Sequence, residues 1–277
     1  MHHGQHTDQR VYLVAGDFWL NIYAESLSVG ADLLTGTGLS RYVVLNKLIE
    51  KAQDSSRVEF DYAIIDLPPS FGALVRAAFY SSDYYIVPCT SDNFSVYCVG
   101  LIGQMVPSFV HDWENGLQRF RATNPHFTDF DKFGKPRFAG GVFNGFDTAR
   151  ARRTSAEIAQ GLPPGEKKMI QADKTMHDHV AQAIKEKLVD ILQREIRNYS
   201  PVAAEARPNY RIGDIEDANV LIQNSLWLNV PLGDLDKHEQ VVSLRDRKKW
   251  ADNQIEQIQL LKGKFSEAAE NIIRVCN

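Results

Sequence analysis

The sequence predicts a doubly wound α/β fold, a mostly parallel sheet with helices on both faces. Two patterns predict it: short apolar runs that are continuous rather than alternating, and helical stretches between them. A strand covered on both faces carries apolar side chains at every position, so continuity points to a parallel sheet. Strands alternating with helices then join by right-handed crossovers. The expected strands are VYLVAG from Val11, YAIID from Tyr62, YYIVPC from Tyr84 and FAGGVFN from Phe138.

The remaining elements follow in chain order. Ser40 is placed to cap a helix through LNKLIEKAQ, and Ser70 opens one through LVRAAFYSS. A helix from Val96 to Val110 leads into a loop at His111 to Pro136. Thr154 to Gln160 reads as a short helix and His177 to Arg197 as a long one. A polar loop, NYSPVAAEARPNYRIGD, precedes LWLNVPL, the last strand or turn. Within 245–277, Ile258, Leu261, Phe265, Ala268, Ile272 and Val275 recur at spacings of three and four and mark a C-terminal amphipathic helix. The whole of 1–277 reads as one domain, with 1–10 a disordered lead. His2, His3 and His6 in that lead are assigned no function.

Composition narrows the function. The 31 basic and 35 acidic residues leave a formal charge of -4, so any contact with a polyanion has to be local. Three cysteines without CxxC spacing suit a reducing cytoplasm rather than a disulfide framework. By its runs of apolar residues the sequence predicts no segment approaching the roughly 18 residues that cross a bilayer, so no membrane partner is expected. His177 and His179 sit two apart, which directs them to different helix faces and away from a shared metal.

In an open parallel sheet, ligands bind beyond the carboxyl ends of the strands. Asp66 ends the YAIID run, and Pro68 and Pro69 follow at once, fixing two backbone angles and removing two donors. A carboxylate at the tip of a buried strand needs a cation, a metal-bound water or backbone donors. Capping a helix that starts near Ser70, or pairing with a lysine, would satisfy Asp66 equally well.

The wider stretch FDYAIIDLPPSFGALVRAAFYSSDYYIVPCTSDNFSVYCVGL strongly resembles the ParA/MinD-type partition ATPases, P-loop NTPases with a deviant Walker A loop. In them a Walker B aspartate, a Pro-Pro-Ser switch, a helix of small residues and a strand closing in Val-Pro follow in this order. GVFNGFDTARARRTSAEI and GDIEDANVLIQNSLWLNVPLGDL are similar to later parts of the same family. The resemblance implies ATP and Mg²⁺ in a homodimer, Asp66 holding the metal through water, and Pro68 and Pro69 as a switch. It also implies that Asn144, Val230 and Pro231 flank the adenine. Non-specific DNA is the implied partner of Arg150, Arg152, Arg153, Lys167 and Lys168, with Arg245, Arg247, Lys248 and Lys249 as a further basic cluster. A ParB-like centromere-binding protein is the other implied partner, and the cytoplasm, at the nucleoid, the implied location.

One family element is missing. Gly134-Lys135 and Gly263-Lys264 are the two Gly-Lys pairs, and neither lies in the spacing of a phosphate-binding loop. The chain is therefore expected to be a truncated or shortened form that does not hydrolyse ATP alone. The alternative is a degenerate, non-catalytic module for binding or dimerisation. Without the strand that carries the loop, Tyr62 to Ile65 would be an exposed sheet edge, which Val11 to Gly16 or a second subunit is expected to cover.

Overall fold

The computed structural model describes residues 10–16, 19–28, 36–150, 154–161, 167–201, 210–243 and 248–277. Helices α1 (Trp19–Ser28), α2 (Gly36–Tyr42), α3 (Val44–Ser56) and α4 (Ala73–Ser81) precede strand β1 (Tyr84–Thr90). The long helix α5 (Asn93–Thr123), β2 (Arg137–Phe146), β3 (Thr148–Arg150), α6 (Ser155–Ala159) and β4 (Lys167–Met169) follow. Next come α7 (Gln171–Ala183), a π-helical segment (Ile184–Val189), α8 (Asp190–Glu195) and β5 (Arg211–Glu216). The chain closes with α9 (Val220–Leu228), a 3-10 turn (Leu232–Lys237) and α10 (Asp252–Cys276).

Strands β1, β2 and β5 form one parallel sheet in that order, with helices around it, as in the P-loop NTPase-like α/β class. On one face, Val87, Cys89, Phe138 and Phe143 join α4, α5, α7 and the π segment in the main core. On the other, Ala139 and Ile212 pack against Val275 of α10. Gly213 lets that helix approach: a Cβ there would lie 2.8 Å from the Ala268 Cβ. A closer approach joins α5 to the π segment, where a Cβ on Gly103 would fall 1.8 Å from the Lys187 carbonyl oxygen.

Several elements differ from the sequence reading. Tyr62 to Asp66 has no regular secondary structure and pairs with no strand among the described residues, and Ile64 is 92% exposed. Its pattern suits a strand with two covered faces, yet among the described residues β1, an end strand of the sheet, pairs only with β2. The 11–16 segment does not cover it. Leu13 makes one isolated bridge, Val11, Leu13 and Val14 are exposed, and the Tyr12 and Phe60 ring centroids lie 5.2 Å apart. The expectation that Val11 to Gly16 covers this edge is therefore corrected.

Ser40 lies inside α2 and not at a helix start, and Ser70 is taken up by a turn two residues before the Gly72 cap of α4. Helix α5 continues beyond Val110 to Thr123 because Trp113 and Leu117 extend its buried stripe, and it accommodates the buried Pro107. By length and composition α5 could cross a membrane, contrary to the expectation of no such run; among its residues Val99, Val106, Phe109, Val110 and Trp113 are core. RIGDIE is strand β5 rather than loop, since pairing to β2 and packing under α10 outweigh its polar composition. LWLNVPL is the end of α9 followed by a turn, with Asn229 left-handed at the helix terminus. In α10, Phe265 is exposed while Ile258, Leu261, Ala268 and Val275 are buried.

Candidate functional site at the carboxyl edge of the sheet

Parallel pairing sets the three strand tips side by side: Thr90 pairs with Asn144, and Asn144 with Ile215. The carboxyl edge of β1 is polar and closely bonded. The Thr90 hydroxyl donates to Asp92 Oδ2 at 2.7 Å and lies 2.9 Å from Ser95 Oγ, which also accepts from the Thr90 N–H. Asp92 caps α5, its Oδ1 accepting from Ser95 N–H at 2.7 Å. That backbone bond, with the Thr90 hydroxyl next, holds the Asp92 carboxyl below the usual carboxylate range. This knot was missed in the sequence, although an Asp three residues before a Ser after an apolar strand is a legible capping signal.

At the tip of β2, Gly145 has φ +68, a left-handed conformation in which a glycine lets the backbone turn beside Thr90. Asn144 is half-buried there. Val230 is buried with Ala218, Leu221 and Leu235 in a second cluster, against which Ile215 of β5 packs. Both backbone groups of Val230 bond to Ser225, its N–H to the carbonyl at 3.1 Å and its carbonyl to the hydroxyl at 2.6 Å. Pro231 is exposed and starts the 3-10 turn. Ile215 thus pairs with Asn144 and packs against the cluster that holds Val230.

Asp66 is not brought to this edge by any hydrogen bond or ion pair among the described residues, and its side chain is exposed. The two prolines after it are exposed as well, and Ser70 N–H bonds back to the Pro68 carbonyl at 2.7 Å, a tight three-residue turn centred on Pro69. The exit from Asp66 is therefore stiff, and α4 begins three residues after Ser70.

The basic residues divide. Strands β3 and β4 form an antiparallel ribbon that sets Arg150 opposite Lys167 and Ala149 opposite Lys168. Arg150 is ion-paired to Glu256, Lys167 Nζ is 3.7 Å from Glu216 Oε1, and Lys168 is exposed. Arg152, Arg153, Arg245 and Arg247 lie outside the described residues. Lys248 and Lys249 are exposed, and their carbonyls accept from Gln240. Among the described residues, no group of three or more His, Cys, Asp and Glu side chains is arranged to hold a metal.

A family model described as an AAA domain matches residues 24–118, from α1 into α5. That family comprises P-loop NTPases and includes ParA/MinD-like ATPases. No curated protein and no solved structure matches the chain. The matched stretch contains Asp66, Pro68, Pro69 and the whole of β1. Set against a nucleoside triphosphate, the residues present fit incompletely. Asp66 is free to meet a cation's water shell, but neither Gly-Lys pair of the sequence lies in the spacing of a loop that offers phosphates their backbone donors.

Proposed function

We propose that this chain is a ParA-like ATPase of plasmid or chromosome partition in a form that does not hydrolyse ATP alone. The supporting observation is that the AAA-domain match runs through Asp66 and β1 while the sequence holds no phosphate-binding loop. Asp66 is the Walker B carboxylate that takes Mg²⁺ through water, and Pro68 and Pro69 are the switch. Asn144, Val230 and Pro231 flank the adenine. A homodimer, with non-specific DNA at Arg150, Arg152, Arg153, Lys167 and Lys168, acts with a ParB-like partner in the cytoplasm at the nucleoid.

The test supplies what the sequence lacks. A strand and glycine-lysine loop are joined ahead of Arg10, and Mg-ATP affinity and phosphate release are measured with and without Asp66→Ala. Turnover is expected in the joined protein only, and Asp66→Ala should reduce it at least tenfold. A joined protein that unfolds cooperatively, yet has no affinity for Mg-ATP, overturns the proposal.

A second reading, a non-catalytic module for binding or dimerisation, is favoured by the exposure of Tyr62, Ile64 and Leu67 and by a β1 edge that pairs with no further strand among the described residues. Sedimentation of the chain over a concentration series checks it, and a monomer throughout argues against dimerisation.

A further inference from the structure

The β3–β4 ribbon carries cations on its own strands, and the acids that meet them come from elsewhere in the fold. Arg150 pairs with Glu256 of α10, and Lys167 faces Glu216 at the end of β5. Thr148 at the ribbon's start donates to Glu216 Oε2 at 2.8 Å. Asp147, just before the ribbon, donates its N–H to Asp173 of α7 at 2.6 Å. Three separate elements therefore hold one short ribbon against the domain.

Glu216 is the unusual member. It is 5% exposed, yet its Oε1 accepts no hydrogen bond among the described residues, and Lys167 stands beyond hydrogen-bond reach of it. A buried carboxylate short of donors is costly, so Thr148 and Lys167 compensate Glu216 while Glu216 retains the ribbon. The Arg150–Glu256 pair differs in kind, because both side chains are substantially exposed and the attraction is weak and screened by salt. A contact of that strength can be exchanged for a phosphate.

We infer that the ribbon is a latched polyanion-binding element: Glu216 and Glu256 occupy the cations that a nucleic-acid backbone takes, and binding replaces the carboxylates with phosphates. This rests on the DNA reading above and adds its regulation. Lys168 is exposed and makes the first contact, while Arg150 and Lys167 become available only as the ribbon leaves Glu256 and Glu216. Arg152 and Arg153 directly follow β3 in the sequence. The latch fits the chain's formal charge of -4: an acidic protein that guards its local basic patch avoids indiscriminate binding.

The experiment compares wild type, Glu256→Gln and Glu267→Gln for affinity to a random-sequence DNA duplex over a salt series. Glu267 lies on the same helix and pairs with Lys264, so its substitution changes net charge equally without touching the ribbon. Freeing Arg150 for one phosphate should raise affinity several-fold in Glu256→Gln and steepen the plot of log K against log salt by about 0.9. Glu267→Gln should leave that slope unchanged. Equal slopes for the two variants, with wild type binding DNA, overturn the latch and leave the DNA reading standing. Hydrogen exchange on the same proteins separates the other failure. Protection of 148–150 and 167–169 should fall in Glu256→Gln; unchanged protection overturns the latch whatever the DNA does. Lost protection with no DNA affinity at low salt overturns the polyanion role and the DNA reading together.

Discussion

Gly103→Ala tests the packing of the main core directly. The added methyl would stand 1.8 Å from the Lys187 carbonyl oxygen, 2.9 Å from its carbon and 3.2 Å from Leu188 Cα. All three are backbone atoms of the π segment, so no side chain can rotate away, and α5 must separate from that segment by more than 1 Å (roughly, from ordinary carbon–oxygen contact distances). Overpacking of this kind costs about 1–3 kcal/mol or more. Replacing a helical glycine by alanine returns about 1 kcal/mol. A rigid backbone neighbour places the cost at the upper end, leaving a net loss of about 2 kcal/mol, or roughly 4–8 °C in melting temperature for a chain of this size. Gly100→Ala, one turn earlier, is the control: its methyl meets the flexible Lys187 Cδ at 3.6 Å, an ordinary contact, so this variant should gain up to about 1 kcal/mol. Calorimetry of the three proteins reads the difference. Equal stability of the two variants would refute the close approach.

Two further predictions concern buried polar groups. His177 is 1% exposed, its ring lies against Phe143 and Phe146, and its Nδ1 is 3.3 Å from an Arg211 nitrogen. Burial first, then Arg211, push its pKa below the ordinary value, while Asp214, Asp173 and Asp178 pull the other way. The unfolded chain thus takes the proton first. Stability should decline as pH falls below about 6.5 and continue declining until the folded imidazole titrates. Urea unfolding at pH 7.5 and 5.5 should show a smaller decline for His177→Gln than for wild type; identical declines would remove His177 from the account. Asn224 is fully buried, donating to the Val220 and Val242 carbonyls and accepting from the Val241 and Val242 N–H groups. Asn224→Ala leaves these groups to find water and should cost about 2 kcal/mol, with faster hydrogen exchange confined to the segment after the 3-10 turn; unaltered exchange there would count against the role.

The sequence made β1 and β2 legible because a strand covered on both faces has few alternatives to an apolar run. The same logic misread Tyr62 to Asp66, where composition reports the environment a strand suits rather than the neighbour it has. Strand β5 was hidden for the opposite reason: Arg211, Asp214 and Glu216 look like loop residues until Arg211 pairs with Asp214 and lies over the Phe143 ring, and Glu216 meets the ribbon. Asn144 and Val230 are named through the family resemblance alone, and their relation through Ile215 depends on pairing and packing that local patterns do not encode. The contacts of Arg150 and Lys167 with Glu256 and Glu216 join residues far apart in sequence, and no window-based pattern reaches that distance.

The order of the sheet also governs how the protein emerges from a ribosome. Every pairing in the three-stranded sheet is parallel and non-local, and its last strand ends at Glu216 while its first begins at Tyr84. At translation rates of about 5–20 residues per second, β1 waits roughly 7–26 s for the sheet to be completed. During that interval its apolar edges, and Ile64 and Leu67 ahead of them, are open to whatever else is near. The nascent chain is therefore a natural client for holding chaperones, and slowing its synthesis would lengthen its exposure without changing a single native contact.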